Sequence, residues 1–339
     1  MNDKLSNNKM YASIKNIIEE ARHNVYRQIN DIMVKAYWEI GRNIVEEEQK
    51  GQERAEYGKS LLKELSSHLT LEFGKGFSVD NLQYMRKFYL CFPKYETVSR
   101  KLSWSHYCLL LRIDNSLSRS FYLIEAEKEN WSVRELDREI NSLLYERLTF
   151  SKDKEEVKRL STNGLILKKP NDLIKDPFVL EFLGMKELPT YTENILEQKI
   201  IENLKNFILE LGKGFMFVDR QKRITLENEH FYIDLVFYNR ILRCFVIIEL
   251  KIGRLTHKDM GQLQMYVNYF DREVKNKDEN NTVGILLCSD KNDAVVKYTL
   301  PDNNNQIFAS KYKLYLPTEE ELMAEIKKEK EIFEKESKI

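Results

Sequence analysis

Two consecutive runs of β-forming residues carry charges where a strand interior is ordinarily apolar. The first is Tyr232-Ile233-Asp234-Leu235-Val236-Phe237 and the second is Val246-Ile247-Ile248-Glu249-Leu250-Lys251. An ionised side chain removed from water costs several kcal/mol unless it is paired, hydrogen-bonded or bound to a metal. Any fold of this chain must therefore bring those three charges to a place that compensates them. Residues two apart on a strand point to the same side, so Glu249 and Lys251 share a face. If the runs form a hairpin, the numbers of opposed residues have a constant sum. A four-residue loop Asn239–Leu242 sets Asp234 opposite Ile247 and Tyr232 opposite Glu249. A two-residue loop Ile241–Leu242 sets Asp234 opposite Glu249. Either register puts Asp234 on the face of Glu249 and Lys251, and a slip of one residue would separate them.

Two carboxylates and a lysine converging at a sheet edge suit metal-assisted phosphodiester hydrolysis. Carboxylate oxygens are hard ligands that suit Mg²⁺ or Mn²⁺. A lysine beside them can orient or help deprotonate a water, or stabilise phosphoryl charge. The plainer alternative is a structural ion pair between Lys251 and one carboxylate.

The surrounding pattern supports a sheet. Residues 193–211 read as an amphipathic helix through Ile195, Leu196, Ile200, Leu204, Phe207 and Leu211. Three strand-like stretches follow, the first in two pieces at 215–218 and 224–226, then 231–238 and 242–251. A helix at about 258–273 and a strand at 283–288 come next, then a strand at about 310–316 and a charged helix at 318–336. The order helix, three strands, helix, strand predicts an α/β sheet with helices on its faces.

Residues 10–150 read as mainly helical. Ile14, Ile17, Ile18, Ala21 and Val25 form a helical stripe, and a second helix spans about 30–48. A third helix, about 57–72, ends at Gly74-Lys75-Gly76. Ser78 caps a helix stopped by Pro93, and Ser132-Val133-Arg134-Glu135 has the capping-box form for a helix through Leu144. Arg86, Lys87, Arg134 and Arg138 permit a helix-turn-helix reading; a plain bundle with solvated charges fits the pattern better. Trp104 and Trp131 are expected to pack. Residues 151–190 change character and read as a connector that packs partly through Phe178, Leu180, Phe182 and Leu183.

Composition bounds the rest. The 339 residues suggest two domains. With 42% apolar and 32% charged residues, wholesale disorder is not expected. Lys+Arg and Asp+Glu both number 54, which argues against a globally basic coat but leaves room for a local basic groove. Cys91, Cys108, Cys244 and Cys288 are far apart, as free thiols of a reducing cytosol would be. No apolar run approaches the ~20 residues of a membrane span, and the polar N-terminus is unlike a signal peptide. No phosphate-binding loop or dinucleotide fingerprint is present. A cytoplasmic protein with no membrane partner is expected.

Asp234 followed fifteen residues later by Glu249-Leu250-Lys251 resembles the signature of the PD-(D/E)xK nuclease superfamily, with Ile233 standing where that signature has proline. Gly261-Gln262-Leu263-Gln264-Met265-Tyr266 resembles the QxxxY element of its RecB-like members. Ala36-Tyr37-Trp38-Glu39-Ile40-Gly41-Arg42, Leu102-Ser103-Trp104-Ser105-His106-Tyr107, the run from Phe207 to Phe215, and Arg220-Gln221 make the whole chain similar to the YhcG-like (DUF1016) group. The resemblance implies an α/β nuclease domain with an αβββαβ core over 191–317. It implies a mainly α-helical, winged-helix-like DUF1016 domain over 10–150 that contacts DNA, with 151–190 as connector and 318–339 as a charged terminal helix. It carries metal-ligand roles to Asp234, Glu249 and the Leu250 backbone carbonyl. Lys251 takes the catalytic-lysine role, and Gln262 and Tyr266 join the site. A first-helix glutamate is also implied, with Glu197 chosen over Glu193 and Glu202, while Gln221 stays unranked. The implied activity is a Mg²⁺- or Mn²⁺-dependent DNA endonuclease. A non-cleaving nucleic-acid-binding or assembly protein, and a nuclease specific for RNA or junctions, stay open as alternatives. A double-strand break needs two active sites, which makes a homodimer one expectation.

Overall fold

The computed structural model describes residues 2–50, 55–149, 154–185, 191–301, 303–318 and 320–321. The chain divides into two compact units, residues 1–139 with 158–164, and residues 140–157 with 165–339.

The described elements of the first unit are helical. In chain order the helices are α1 (Asn2–Lys50), α2 (Ala55–Phe73), α3 (Val79–Cys91), α4 (Trp104–Leu110), α5 (Ser116–Glu129) and α6 (Val133–Asn141). Two further helices, α7 (Leu144–Thr149) and α8 (Lys154–Asn163), lie where the units exchange chain. The two helices expected before residue 50 are one, because no glycine or proline turn separates 25 from 30. Its first half exposes Ile14, Ile17, Ile18 and Val25, whereas its second half buries Val34, Trp38, Ile44 and Val45. Gly41 explains part of the 36–42 run: a Cβ there would lie 2.0 Å from the Met85 carbonyl oxygen, so α3 crosses α1 at backbone contact. Trp38 Nε1 donates to the Phe92 carbonyl at 2.7 Å, and Trp104 packs on Tyr37 and Phe88.

Ser78 and Ser132 act as caps, the latter reciprocally with Glu135. The helix from Ser132 stops earlier than expected, since Leu143 takes a left-handed backbone (φ 55°). Arg86, Lys87 and Arg138 pair with Glu48, Asp114 and Glu139. These cations are thus engaged within the unit, as a bundle requires. The winged-helix form is corrected in one respect. A wing is a β-hairpin, and no strand occurs among the described residues of this unit.

The second unit is a six-stranded sheet with helices on both faces. Its elements are β1 (Phe178–Val179), α9 (Glu193–Glu202), α10 (Leu204–Leu211), β2 (Phe215–Leu226), β3 (Glu229–Asn239), β4 (Cys244–Arg254), α11 (His257–Tyr269), β5 (Val283–Asp290), α12 (Asp293–Thr299) and β6 (Ile307–Lys313). Strand order is β1-β6-β5-β4-β3-β2. The β2, β3 and β4 strands form an antiparallel meander, and β5, β6 and β1 continue it in parallel. The parallel step from β4 to β5 crosses through α11, as such a step requires.

One apolar cluster, with Leu196, Ile200, Phe207, Leu235, Ile248 and Ile285, lies under α9 and α10. The other, with Ile247, Leu263, Tyr266, Val267 and Leu286, lies under α11. Gly284 lets α11 approach, since a Cβ there would lie 2.8 Å from Val267 Cγ2. The expected helix 193–211 is broken at Asn203 into α9 and α10, and α12 was not foreseen. The two strand pieces at 215–226 are one bulged strand. Phe178, Leu180 and Leu183 are buried, and β1 joins the sheet edge. Of the terminal helix expected at 318–336, Thr318 and Glu321 cap one another; residues 319 and 322–336 lie outside the described residues, as do residues 186–190 of the expected connector.

Apart from the charged strands, Arg147 and Glu210 of the same unit form a fully buried ion pair at 2.6 Å. Glu210 also accepts from the Val179 amide at 3.0 Å, tying α10 to β1. Glu210→Gln is expected to lower unfolding free energy by about 3–5 kcal/mol, because it leaves the Arg147 charge buried without its counter-ion. Urea denaturation checks this, and a loss below about 1 kcal/mol would contradict the role given to the pair.

Candidate active site

The charged strands meet in the register that sets residue 234 opposite 249. Leu235 pairs with Ile248 and Asn239 with Cys244, around a loop at 240–243. On the other side, Arg220 pairs with Leu235 and Lys222 with Ile233, which brings Gln221 opposite Asp234. Gln221, Asp234 and Glu249 thus form one row across three strands.

The row is irregular, and the irregularity is what joins its members. Ile233 and Val236 fall in the same apolar cluster although they are three apart, so alternation along β3 breaks at Asp234. Gln221 has a left-handed backbone (φ 45°), and a register shift lies just before it between Phe217 and Asp219. The freed groups find side-chain partners. Asp234 Oδ2 accepts from the Leu250 amide at 2.9 Å, and the Asp234 amide donates to Glu249 Oε1 at 3.1 Å. The two carboxylates are interlocked through each other's strands.

Gln221 Nε2 donates to Asp234 Oδ1 at 3.0 Å and to Glu197 Oε2 at 2.5 Å. Glu197, on α9, is 5% exposed, so the glutamate chosen from sequence is the one turned inward. Its rival Glu202 is exposed and bound to Lys199 and Gln198. The other rival, Glu193, one turn before Glu197, serves Lys251 and accepts from the Ile252 amide.

Lys251 does not pair with Asp234 or Glu249. Its ammonium lies 3.4 Å from Glu193 and 3.3 Å from Asp259. Asp259 was not foreseen, although Thr256-His257-Lys258-Asp259 signals it. Asp259 is the third residue of α11, and its carboxylate caps Thr256 while holding the lysine. Gln262 Nε2 donates to Tyr266 Oη at 2.6 Å, and Tyr266 Oη donates to the Tyr232 carbonyl at 3.3 Å. That pair supports the β3 backbone two residues before Asp234. His230 bonds Thr225, and His257 is exposed.

The electrostatics follow from these contacts. Burial raises the Asp234 carboxyl to about 6; Glu197 and Glu193 add to the rise, and the Leu250 amide and Gln221 oppose it. Burial, then the neighbouring Asp234, raises Glu249 well above the carboxylate range. Burial tends to lower Lys251, but Glu193 and Asp259 outweigh it and keep its ammonium charged. Burial and then Glu249 raise Tyr266 to about 12. Among the described residues no Lys or Arg forms an ion pair with Asp234 or Glu249, and no three His, Cys, Asp or Glu side chains are grouped so as to hold a metal ion as they stand. The donors facing the row are oxygens: carboxylates of Glu197, Asp234 and Glu249. Two of those carboxyls resist ionising as they stand, and a hard divalent cation would relieve that resistance, so the residues fit such an ion.

Residues 171–327 match the family described as "YhcG PDDEXK nuclease domain" and residues 13–147 match "DUF1016 N-terminal domain". The chain is 37% identical to the Escherichia coli (strain K12) protein named "Putative nuclease YhcG", over 96% of this chain and 95% of that one. The chain belongs to the YhcG nuclease family. Members of the PD-(D/E)xK group generally use divalent metals, and the family implies a nucleic-acid substrate. A solved repair endonuclease from Pyrococcus abyssi is 18% identical over 39% of this chain and 50% of that chain, at a TM-score of 0.25 that carries no argument about fold. Among the described residues of this YhcG-family chain, no helix is long and apolar enough to cross a membrane.

Unfolding returns Asp234 to its ordinary value of 3.8. The folded carboxyl is raised, so metal-free stability contributed by this group is present at low pH and is lost as pH rises from about 4 through about 6. A shift of about two pH units corresponds to about 3 kcal/mol. In EDTA, Asp234→Asn is expected to be more stable than wild type at pH 8 by about 1–3 kcal/mol, with the gap closing below pH 5. Urea denaturation at both pH values checks this; a pH-independent gap would contradict it.

Proposed function

We propose that this YhcG-family protein is a divalent-metal-dependent endonuclease that hydrolyses phosphodiester bonds of DNA. One observation carries the reading: Asp234 and Glu249 are interlocked at adjacent strand positions, resist ionising there, and have the charged Lys251 next along the strand. We take the order α9–α10, β2, β3, β4, α11, β5 as the αβββαβ core of the superfamily.

Asp234, Glu249, the Leu250 carbonyl and Glu197 would hold the cation, and their hard oxygens favour Mg²⁺ or Mn²⁺. When bound, the ion supplies an activated water and neutralises charge on the phosphate. Lys251 is kept protonated by Glu193 and Asp259, so its part is that of a fixed cation for phosphoryl charge and not of a base. The Gln262–Tyr266 pair holds the strand that carries Asp234. Residues 10–150 form the domain that contacts DNA in this reading, 151–190 the connector and 191–317 the catalytic domain, followed by the terminal segment 318–339. Four free cysteines suit work in the reducing cytoplasm. A homodimer would supply the two sites that a double-strand break needs.

Plasmid, single-stranded DNA and RNA are to be incubated with the purified protein and Mg²⁺ or Mn²⁺. Cleavage of DNA is expected with either ion and none in EDTA. Asp234→Ala, Glu249→Ala and Lys251→Ala are each expected to reduce it by about a hundredfold or more. Full activity of Asp234→Ala would overturn the mechanism. Cleavage confined to RNA would move the substrate class, and DNA binding without cleavage under any metal would favour a non-cutting binder.

A further inference from the structure

The site contains one residue whose chemistry the proposed mechanism leaves unused. Gln221 stands between Glu197 and Asp234, and its single amide nitrogen donates to both carboxylates, at 2.5 and 3.0 Å. The orientation follows from charge, since a carbonyl oxygen turned toward two carboxylates would be repelled by both. The backbone there is strained: Gln221 is a non-glycine residue at φ 45° within β2. That conformation costs on the order of 1–2 kcal/mol and persists only where its surroundings impose it. The preceding residue contributes in the same direction, as Arg220 donates to Gln198 at 3.0 Å and lies 4.0 Å from the other oxygen of Glu197. Among the described residues, Gln221 is the strand residue that hydrogen-bonds the Glu197 carboxylate.

We infer that Gln221 is a positioning residue which recruits the α9 glutamate, Glu197, to the metal site of β3 and β4. Its two N–H groups cross-link the helix carboxylate to Asp234. The helix carboxylate is thereby tethered beside Asp234 before a divalent cation arrives. This rests on the metal-site reading above, and the test separates the two.

Mn²⁺ alone is titrated calorimetrically into the metal-free full chain. The variants are Gln221→Met, which keeps length but has no N–H, Glu197→Gln, and the two combined. Thermal unfolding in EDTA confirms that each is folded. Partners that orient metal ligands commonly contribute 10–100-fold in affinity. Gln221→Met is expected to weaken Mn²⁺ binding about tenfold, and the double variant to bind no more weakly than Glu197→Gln alone, because the two residues act through one contact. Cleavage by Gln221→Met is expected to need more Mn²⁺ while reaching a maximal rate within a few-fold of wild type. Binding by Gln221→Met equal to or tighter than wild type, or losses that add, would overturn the inference and leave the metal site standing. Absence of Mn²⁺ binding by wild type would overturn both.

Discussion

Two carboxylates are held side by side in a sheet, and the structure of the second unit is organised around keeping them there. Asp234 and Glu249 occupy adjacent strands, each accepts a hydrogen bond from a backbone amide of the other's strand (Leu250 and Asp234 respectively), and no basic side chain pairs with either among the described residues. Such a pair is unfavourable in isolation, because burial and like charge both oppose ionisation. The sheet meets that opposition locally. It breaks the alternation of β3, bends β2 into a left-handed residue at Gln221, and supplies the Asp234 and Leu250 backbone amides and the Gln221 side-chain amide as hydrogen-bond donors to the carboxylates. The irregular positions of the sheet and the residues of the candidate site therefore coincide.

The remainder of the unit aims other groups at this row. The packing of α9 under one face sets Glu193 and Glu197 one turn apart, so that the first reaches Lys251 and the second reaches Gln221. On the other side, α11 begins at the end of β4 and contributes Asp259 through its own cap. Gly284 admits α11 close enough for Tyr266 to reach the β3 backbone. Lys251 is thereby held by two helices from opposite faces of the sheet, as a charged group close to the carboxylates but not neutralising them. An ion pair of Lys251 with Asp234 or Glu249 would have satisfied the sheet more simply. Its absence among the described residues is what distinguishes this arrangement from a structural salt bridge.

Much of this was legible in the sequence because strand periodicity is short and strict. The charges inside 232–237 and 246–251 required compensation, and the hairpin arithmetic limited Asp234 to two partners, one of which was Glu249. The inward choice of Glu197 followed from the resemblance. The pairing of Lys251 was not legible, since it depends on where two helices begin in space. Asp259 could have been found from the threonine three residues before it. The break at Asn203 and the bulge in β2 escaped because a polar residue within an amphipathic helix and an extra residue within a strand leave the hydrophobic pattern nearly unchanged. The first unit shows the opposite case. The Ala36–Arg42 run looked distinctive because of the close crossing at Gly41, a packing cause with no reference to a ligand.

The central claim is that Asp234 and Glu249 are shaped to take a divalent cation. The most direct measurement is calorimetric titration of Mn²⁺ into the metal-free protein near pH 6.5, in two buffers of different ionisation enthalpy. Carboxyls held above their ordinary range should release protons as the cation binds. The account predicts binding accompanied by proton release in the wild type, and neither in the Asp234→Asn/Glu249→Gln double variant. Mn²⁺ binding of undiminished affinity in that double variant would contradict it.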